Sequence, residues 1–160
     1  MQIRKITTED WELLRAVRLE ALSSSPEAFS SKHADALKIS EEEWKKQLAD
    51  PHNSFFLVFD GERPVGMARL STKQPELPTN AALIASVYVN EEMRGKGVGR
   101  ALIDAVIVHA KSIDGISGLQ LSVRQTQQTA MNLYQSLGFK NVGTGGQGKE
   151  LEKIYALDII

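Results

Sequence analysis

The sequence has no cysteine among its 160 residues. This absence excludes disulfide bonds, cysteine-ligated zinc and a cysteine nucleophile. Long apolar runs are also missing, since none approaches the roughly 18 residues that a membrane-spanning helix needs. Residues 1–11 are polar and charged, unlike a secretory signal peptide. We therefore expect a cytoplasmic protein that does not associate with membranes.

An excess of charge of either sign is missing too. The chain carries 19 basic and 20 acidic residues, a formal net charge of -1, and neither sign forms a stripe or a tail. We therefore expect no nucleic-acid partner. The three histidines are scattered without metal-ligand spacing, so we expect no metal. The length suits one compact domain over residues 1–160.

Hydrophobic periodicity and turn residues predict the element order β-α-α-β-β-β-α-β-α-β-β, a mixed sheet with helices on its faces. Threonine followed by carboxylates at residues 7–10, and serine followed by carboxylates at residues 40–43, are typical of helix starts. The predicted strands cover about residues 3–6, 55–59, 65–70, 81–89 and 119–123, then one from Phe139 and one over 154–159. The predicted helices cover about residues 11–22, 40–48, 98–109 and 130–137.

A glycine-rich turn, Arg94-Gly95-Lys96-Gly97-Val98-Gly99-Arg100, joins the longest predicted strand to a helix. A helix start offers free N–H groups and the positive end of the helix dipole to an anion. Glycines let the backbone approach a ligand closely, and the three cations of this turn add positive charge. Taken alone, the turn is better explained as an ordinary strand-to-helix connection. Its spacing is neither a Walker A motif nor a dinucleotide-binding fingerprint.

The segment Val87-Tyr88-Val89, followed after four residues by Arg94-x-x-Gly97-x-Gly99, resembles motif A of the GNAT acyltransferases. The resemblance implies an α/β (α+β) GNAT fold with a mostly antiparallel sheet of about seven strands and about four helices. It also implies acetyl-CoA as co-substrate, with its pyrophosphate bound by backbone N–H groups of the turn. The cofactor-binding residues so implied are Val87, Tyr88, Val89, Arg94, Gly95, Lys96, Gly97, Val98, Gly99 and Arg100.

A second segment, from Val123 to Phe139, resembles motif B of the same family. Its apolar residues form one helical face, and the plain interpretation is a core helix whose tyrosine hydroxyl is hydrogen-bonded. Together with the glycine turn, the resemblance implies that Tyr134 is the general acid, which protonates the coenzyme A thiolate as the amine attacks. Gln127 occupies a position at which the family often has a cofactor-binding asparagine, and the resemblance implies the same contact for Gln127.

The sequence names no general base. Family members often carry a glutamate on the long strand or on its parallel neighbour, but the matching positions are Ala85 and Ser122. Glu91 and Glu92 are more typical of solvated surface, and His109 is better explained as a packed histidine. An amine that arrives neutral, or a water chain, would suffice. The resemblance also implies that the long strand and its parallel neighbour splay apart to hold the pantetheine, and that an N–H near Val87 polarises the thioester carbonyl.

The resemblance places the acceptor near residues 23–39 and the glycine-rich loop over residues 143–149. Glu27 and Asp35 could attract a cationic amine or could simply be solvated. We therefore predict an N-acetyltransferase, monomeric or homodimeric, that transfers an acetyl group directly to a primary amine of an unidentified small molecule or protein. A non-catalytic acyl-CoA-binding domain is an alternative that the missing base favours and Tyr134 disfavours. The glycine turn disfavours a third possibility, a protein-binding module.

Overall fold

The computed structural model describes residues 1–29, 31–145 and 151–160. The strands are β1 (Gln2–Lys5), β2 (Asn53–Asp60), β3 (Arg63–Ser71), β4 (Ala81–Val89), β5 (Gly118–Arg124), β6 (Lys140–Gly145) and β7 (Glu152–Asp158). The helices are α1 (Trp11–Ser24), α2 (His33–Ala36), α3 (Glu41–Ala49), α4 (Val98–Lys111) and α5 (Gln128–Ser136). In these ranges, no helix is long and apolar enough to cross a membrane.

The seven strands form one sheet in the order β1-β2-β3-β4-β5-β7-β6. Every neighbouring pair is antiparallel except β4 and β5, which run parallel. The predicted fold class, a mixed and mostly antiparallel sheet of about seven strands, is therefore confirmed. The described residues also contain one helix that was not predicted, the short α2, whose four residues are too few for an apolar period to stand out.

Helices cover both faces of the sheet, and this arrangement explains the apolar run in β2. Phe55, Leu57 and Phe59 pack toward α1 and α3, whereas Phe56 and Val58 pack toward α4. Because successive side chains of a strand point to opposite faces, a strand covered on both sides is apolar at every position. The α4 side holds the larger core.

Two helix starts differ in how well the sequence located them. Ser40 caps α3 as predicted, since its hydroxyl accepts the Glu43 N–H at 3.2 Å. Thr7 instead precedes a short 3₁₀ turn, Thr8–Asp10, and α1 begins after it at Trp11. The Asp10 carboxylate accepts the Thr7 N–H at 2.9 Å and both terminal nitrogens of Arg4 at 3.1 Å. That carboxylate therefore joins β1 to the start of α1.

The glycine-rich segment over residues 143–149 is predicted as a loop, but its first residues belong to a strand in the structure. Gly143 and Gly145 belong to β6 and pair with Ile154 and Glu152 of β7. The sequence prediction was wrong for these residues because pairing with a neighbouring strand can hold glycines extended despite their weak strand propensity. The rest of that predicted loop, residues 146–149, lies outside the described residues.

Candidate active site

The two parallel strands separate partway along their length and leave a cleft. Their pairing covers only Ala81–Leu83 of β4 and Gly118–Gln120 of β5, although both strands continue beyond it. The cleft encloses about 110 Å³, and both strands contribute residues to its walls. The predicted splaying of the sheet is therefore present. The separation exposes edge groups of both backbones, which a bound molecule could use for hydrogen bonds.

A bulge in β4 lies at this cleft. Met67 of β3 pairs with Tyr88 and Arg69 pairs with Ala85, so two residues of β4 lie opposite one residue of β3. One of the two, Ser86, has φ of 56°, and it is the only non-glycine residue with positive φ in the described ranges. Such a conformation is unusual for a non-glycine residue and often occurs near functional sites. The bulge redirects the β4 backbone where the strands part.

The glycines of the turn after β4 have two different roles. Gly95 and Gly97 have φ of 76° and 80°, and a Cβ added to either would meet no atom within 4 Å. Glycine is favoured at these two positions by backbone conformation, and the space beside them is open. A Cβ on Gly99 would lie 3.3 Å from Cδ2 of Leu133, so Gly99 allows α4 to pack closely against α5. Of these three glycines, only Gly95 and Gly97 therefore have open space where a Cβ would lie.

The start of α4 faces the same open space. The first helical hydrogen bond after the turn runs from the Ala101 N–H to the Gly97 carbonyl at 3.1 Å. The N–H groups of Val98, Gly99 and Arg100 therefore precede the helical hydrogen-bond series. A cavity of about 450 Å³ lies there, within the size range of small-ligand sites. The arrangement suits a phosphate-bearing ligand.

Protein contacts fix two of the three cations of the turn. The Arg94 Nε donates to the Val89 carbonyl at 2.9 Å, and its Nη2 donates to the Ser25 hydroxyl at 3.3 Å. The Arg100 Nη1 donates to the Ser136 hydroxyl at 2.9 Å. Both residues line the cavity. Lys96 is exposed and is not part of the lining, so the predicted contact of its side chain with the cofactor gains no support from the cavity.

All the other predicted site residues line this one cavity. They are Val87, Tyr88, Val89, Arg94, Gly95, Gly97, Val98, Gly99, Arg100, Gln127 and Tyr134. They come from the end of β4, the glycine turn, the start of α4, the residue before α5 and α5 itself. The side chain of Val98 lies in the core, so only its backbone can face a ligand.

Tyr134 lies where the cavity and the cleft meet, since it lines both. Its side chain belongs to the core, with 5% of its surface exposed, and its ring contacts Phe139 edge-on at 5.8 Å between centroids. Burial raises the pKa of the Tyr134 phenol well above its ordinary value. The hydroxyl is therefore protonated at neutral pH and can act as a proton donor.

The structure brings to the cleft a carboxylate that the sequence analysis missed. Glu152 of β7 lines the cleft together with Ala85, Ser122 and Tyr134. Glu152 pairs with Arg124 across β5 and β7, and this register places it beside the open part of β5. Strand register between distant segments cannot be deduced from the sequence alone. The only sequence clue was the prediction of a last strand, and that strand was predicted to begin two residues after Glu152.

Arg124 is a second residue at the cleft that the sequence analysis did not identify. Its guanidinium donates to the backbone carbonyl of Glu27 and, at 3.2 Å, to that of Phe29. These bonds join the end of β5 to the segment after α1. They hold Phe29 where it lines both the cavity and the cleft. Arg124 therefore positions the wall of the cleft on the side predicted for the acceptor.

The remaining acidic candidates differ in whether they line the cavity or the cleft, and His109 lines neither. Glu91 and Glu92 are exposed and line neither space, whereas Glu27 lines the cavity. His109 is a packed histidine, as expected: its Nε2 lies 3.1 Å from the Ser54 hydroxyl, and its ring contacts Phe56 edge-on. Burial lowers the pKa of His109. No group of three metal-ligating side chains occurs within residues 1–29, 31–145 and 151–160.

The fold and the site together define a class of protein. The two parallel strands of the sheet separate, and a glycine turn and a buried tyrosine lie at the opening. The resemblance to GNAT acyltransferases implies this arrangement. The sequence profile of the Acetyltransferase (GNAT) family matches residues 11–139. The chain belongs to this family.

Individual relatives agree with the family match. N-acetyltransferase 8B of Homo sapiens is 33% identical over 100 residues, which cover 62% of this chain and 44% of that protein. This chain thus spans less than half of that relative. The GNAT-family acetyltransferase from Streptococcus pneumoniae has a TM-score of 0.83 at 21% identity, covering 99% and 98% of the two chains. RimL, a ribosomal L7/L12 alpha-N-protein acetyltransferase in complex with coenzyme A, has a TM-score of 0.78 at 16% identity, covering 98% and 93%.

Proposed function

We propose that this protein is an N-acetyltransferase that transfers the acetyl group of acetyl-CoA directly to a primary amine. The observation that carries the proposal is the shared cavity, in which the glycine turn, the end of β4 and Tyr134 face one space. That cavity meets the cleft between the parallel strands at Tyr134. A ligand can therefore lie with its phosphates at the turn and its acyl end beside the tyrosine.

The binding part of the proposal assigns the phosphates of coenzyme A to the start of α4. The N–H groups before the helical series would donate to the pyrophosphate, and Arg94 and Arg100 would supply positive charge. The open space beside Gly95 and Gly97 fits such a group. An N–H near Val87, at the β4 bulge, would donate to the thioester carbonyl and stabilise charge that develops on its oxygen.

The chemical part requires two proton transfers. The amine nitrogen attacks the carbonyl carbon of the thioester, a C–N bond forms, and the C–S bond breaks. Tyr134 gives its proton to the leaving thiolate, and solvent that enters the cavity after coenzyme A has left returns a proton to the phenolate. Glu152 is our candidate to accept the proton that the amine nitrogen loses, directly or through one water, and to release it to solvent. No covalent acyl-enzyme is needed.

The rival function is that of a domain that binds acyl-CoA without turnover. The observation in its favour is that neither Ala85 nor Ser122 can accept a proton at the cleft. The buried and protonated Tyr134 and the carboxylate of Glu152 in the same cleft favour catalysis. The two functions share the acetyl-CoA site and differ in whether thiol is released.

The test is thiol release from acetyl-CoA with a panel of primary amines, with products identified by mass spectrometry. The panel should contain small amines and peptides with free N-termini, because RimL is named an alpha-N-protein acetyltransferase. We expect an acetylated product from at least one amine. Acetyl-CoA that raises the melting temperature without releasing thiol would favour the non-catalytic domain. A protein that does not bind acetyl-CoA would contradict both functions.

A further inference from the structure

A third cavity lies beside α1 and is distinct from the two spaces described above. It encloses about 340 Å³ between α1, α3 and the segment that contains α2. We name it the Arg18 cavity, and its polar lining includes Arg18, Lys32, Asp35, Trp44 and Gln47. Lys32 and Asp35 are exposed residues of opposite charge, so their fields largely cancel in water. Arg18 and Trp44 belong to its inner part.

The inner part holds two hydrogen-bond donors without acceptors. The Arg18 Nη1 and the Trp44 Nε1 are both buried and have no hydrogen-bond partner among the described residues. A buried donor that loses water and gains no acceptor destabilises the folded state, and a charged donor does so more strongly. Both groups can only donate, so the ligand that satisfies them must supply oxygen lone pairs.

A second guanidinium increases the positive charge at this place. Arg69 lies on the face of β3 that α1 covers, the face of Met67. Burial and, to a smaller extent, the Arg69 cation lower the pKa of Arg18, and burial alone lowers that of Arg69. The ion pairs found within the described ranges include neither residue. The two half-buried cations are thus close enough to repel each other, and neither forms an ion pair with a carboxylate among the described residues.

The Arg18 cavity adjoins the cleft where transfer would take place. The Arg18 guanidinium lies over the Phe29 ring, 5.2 Å from its centroid, and Phe29 lines the cleft. Arg69 pairs with Ala85, which also lines the cleft. Phe29 thus contacts Arg18 and also lines the cleft, so a molecule with its amine in the cleft would have to extend past Phe29 for its other end to reach Arg18.

We propose that the acceptor is an amine that also carries an anionic group, a carboxylate or a phosphate, and that Arg18 binds this group with help from Arg69 and the Trp44 N–H. This inference rests on the proposed acetyl transfer and narrows its acceptor class. The planar guanidinium offers paired donors that match the oxygens of either anion. Purely cationic amines, such as polyamines, would place a positive charge beside two unpaired cations and should be poor acceptors.

The test compares amines with and without an anionic group at the end distant from the amine. The pairs are 4-aminobutanoate with 4-aminobutanamide, 6-aminohexanoate with 6-aminohexanamide, and phosphoethanolamine with ethanolamine. In the wild type we expect kcat/KM to be about tenfold or more higher for the anionic member of the preferred pair. Preference for one chain length, or for phosphate, identifies the anion and its distance from the amine. Equal rates within every pair would overturn the inference and leave the acetyltransferase function intact.

Variants assign the preference to the cavity. Arg18→Gln should raise KM for the anionic amine to that of its neutral partner and leave kcat nearly unchanged, and Arg18→Lys should restore part of the difference. Arg15→Gln is the matched control because Arg15 is on the same helix and outside the cavity lining. Trp44→Phe, which removes the N–H and keeps an aromatic ring, replaces Arg18→Gln if that variant does not fold. A preference unchanged in these cavity variants would refute the assignment.

A binding measurement covers the case in which no panel amine is acetylated, an outcome that would count against the proposed function. With coenzyme A present to occupy the glycine turn, millimolar inorganic phosphate should raise the melting temperature of the wild type, relative to chloride of equal ionic strength. The rise should be lost in Arg18→Gln and kept in Arg15→Gln. An equal rise in wild type and Arg18→Gln would overturn the anion site.

Discussion

Replacement of Tyr134 by phenylalanine tests the chemical role that we propose for this residue. The change removes one hydroxyl and keeps the ring, which contacts Phe139 and packs in the core on the α4 side. General acid catalysis typically contributes about 10²–10⁴-fold to a rate. We expect a fall in kcat of about 10²-fold, near 2.7 kcal/mol, because a thiolate is a tolerable leaving group even without an acid.

The structure argues against water taking over this role. Tyr134 has 5% of its side-chain surface exposed, so a solvent molecule has little access to the position of the hydroxyl. The interaction with the thiolate exists only as the C–S bond breaks. The KM for acetyl-CoA should therefore hardly change, and kcat and kcat/KM should fall together. The measurement is thiol release at saturating acceptor for wild type and Tyr134→Phe.

The pH dependence gives a second readout of the same group. Because burial raises the pKa of Tyr134 above its ordinary value, the phenol stays protonated between about pH 6 and pH 10, and the ratio of wild-type to variant kcat should be constant. The pKa of Tyr134 is higher in the folded protein than in the unfolded chain, so the neutral phenol contributes fully to the free energy of unfolding below the unfolded-state pKa. This contribution is lost as the pH rises from the unfolded-state pKa toward the folded-state pKa. Above about pH 10, the wild type should therefore lose melting temperature faster than Tyr134→Phe. A kcat within twofold of wild type at every pH, in a folded variant, would remove Tyr134 from the mechanism.

Two further predictions concern the turn and the N-terminal ion pair. Gly97→Ala and Gly61→Ala each place a Cβ at positive φ in open space, so each should cost about 1–2 kcal/mol, but only Gly97→Ala should weaken acetyl-CoA binding in a calorimetric titration. Equal affinities of both variants would contradict the phosphate site. The hydrogen bonds from Arg4 hold the pKa of Asp10 below its ordinary value, so the stability that they give is present at neutral pH and lost in acid. Asp10→Asn should accordingly lower the melting temperature at pH 7, and the difference from wild type should close as the pH falls below the ordinary pKa of an aspartate, about 4.

Much of the fold could be predicted because its elements carry strong local patterns. The continuous apolar run of β2 and the one-sided apolar face of α5 indicate a covered strand and a packed helix without any knowledge of the whole. The short helix α2 has no such pattern. The extended conformation of Gly143 and Gly145 also has no local cause, because pairing with β7 produces it. Prediction failed where an element is too short to show an apolar period, as in α2, or depends on a partner distant in sequence, as in β6.

The glycines of the turn belong to one motif but differ in conformation and surroundings. From the sequence alone, all three glycines are predicted to be positions where the backbone approaches a phosphate. The structure separates Gly95 and Gly97, which need positive φ and border open space, from Gly99, which allows close contact between α4 and Leu133. A spacing pattern records only that glycine is required. Why glycine is required at a position depends on its backbone conformation and its neighbours, and both are determined by the fold.

The same distinction explains why the proposed cofactor site could be found from the sequence and the proposed acceptor site could not. The cofactor residues lie in two continuous segments, residues 87–100 and 127–134, each with a recognisable spacing. The acceptor features come from α1, β3, α3 and β7, and each is a single charged or aromatic residue in an unremarkable stretch. Arg18 resembles any exposed helical arginine until Phe29 and Arg69 are placed beside it. In our proposal, recognition of the acceptor thus depends on packing between distant segments, and the buried donors that have no acceptor among the described residues are the observation that supports it.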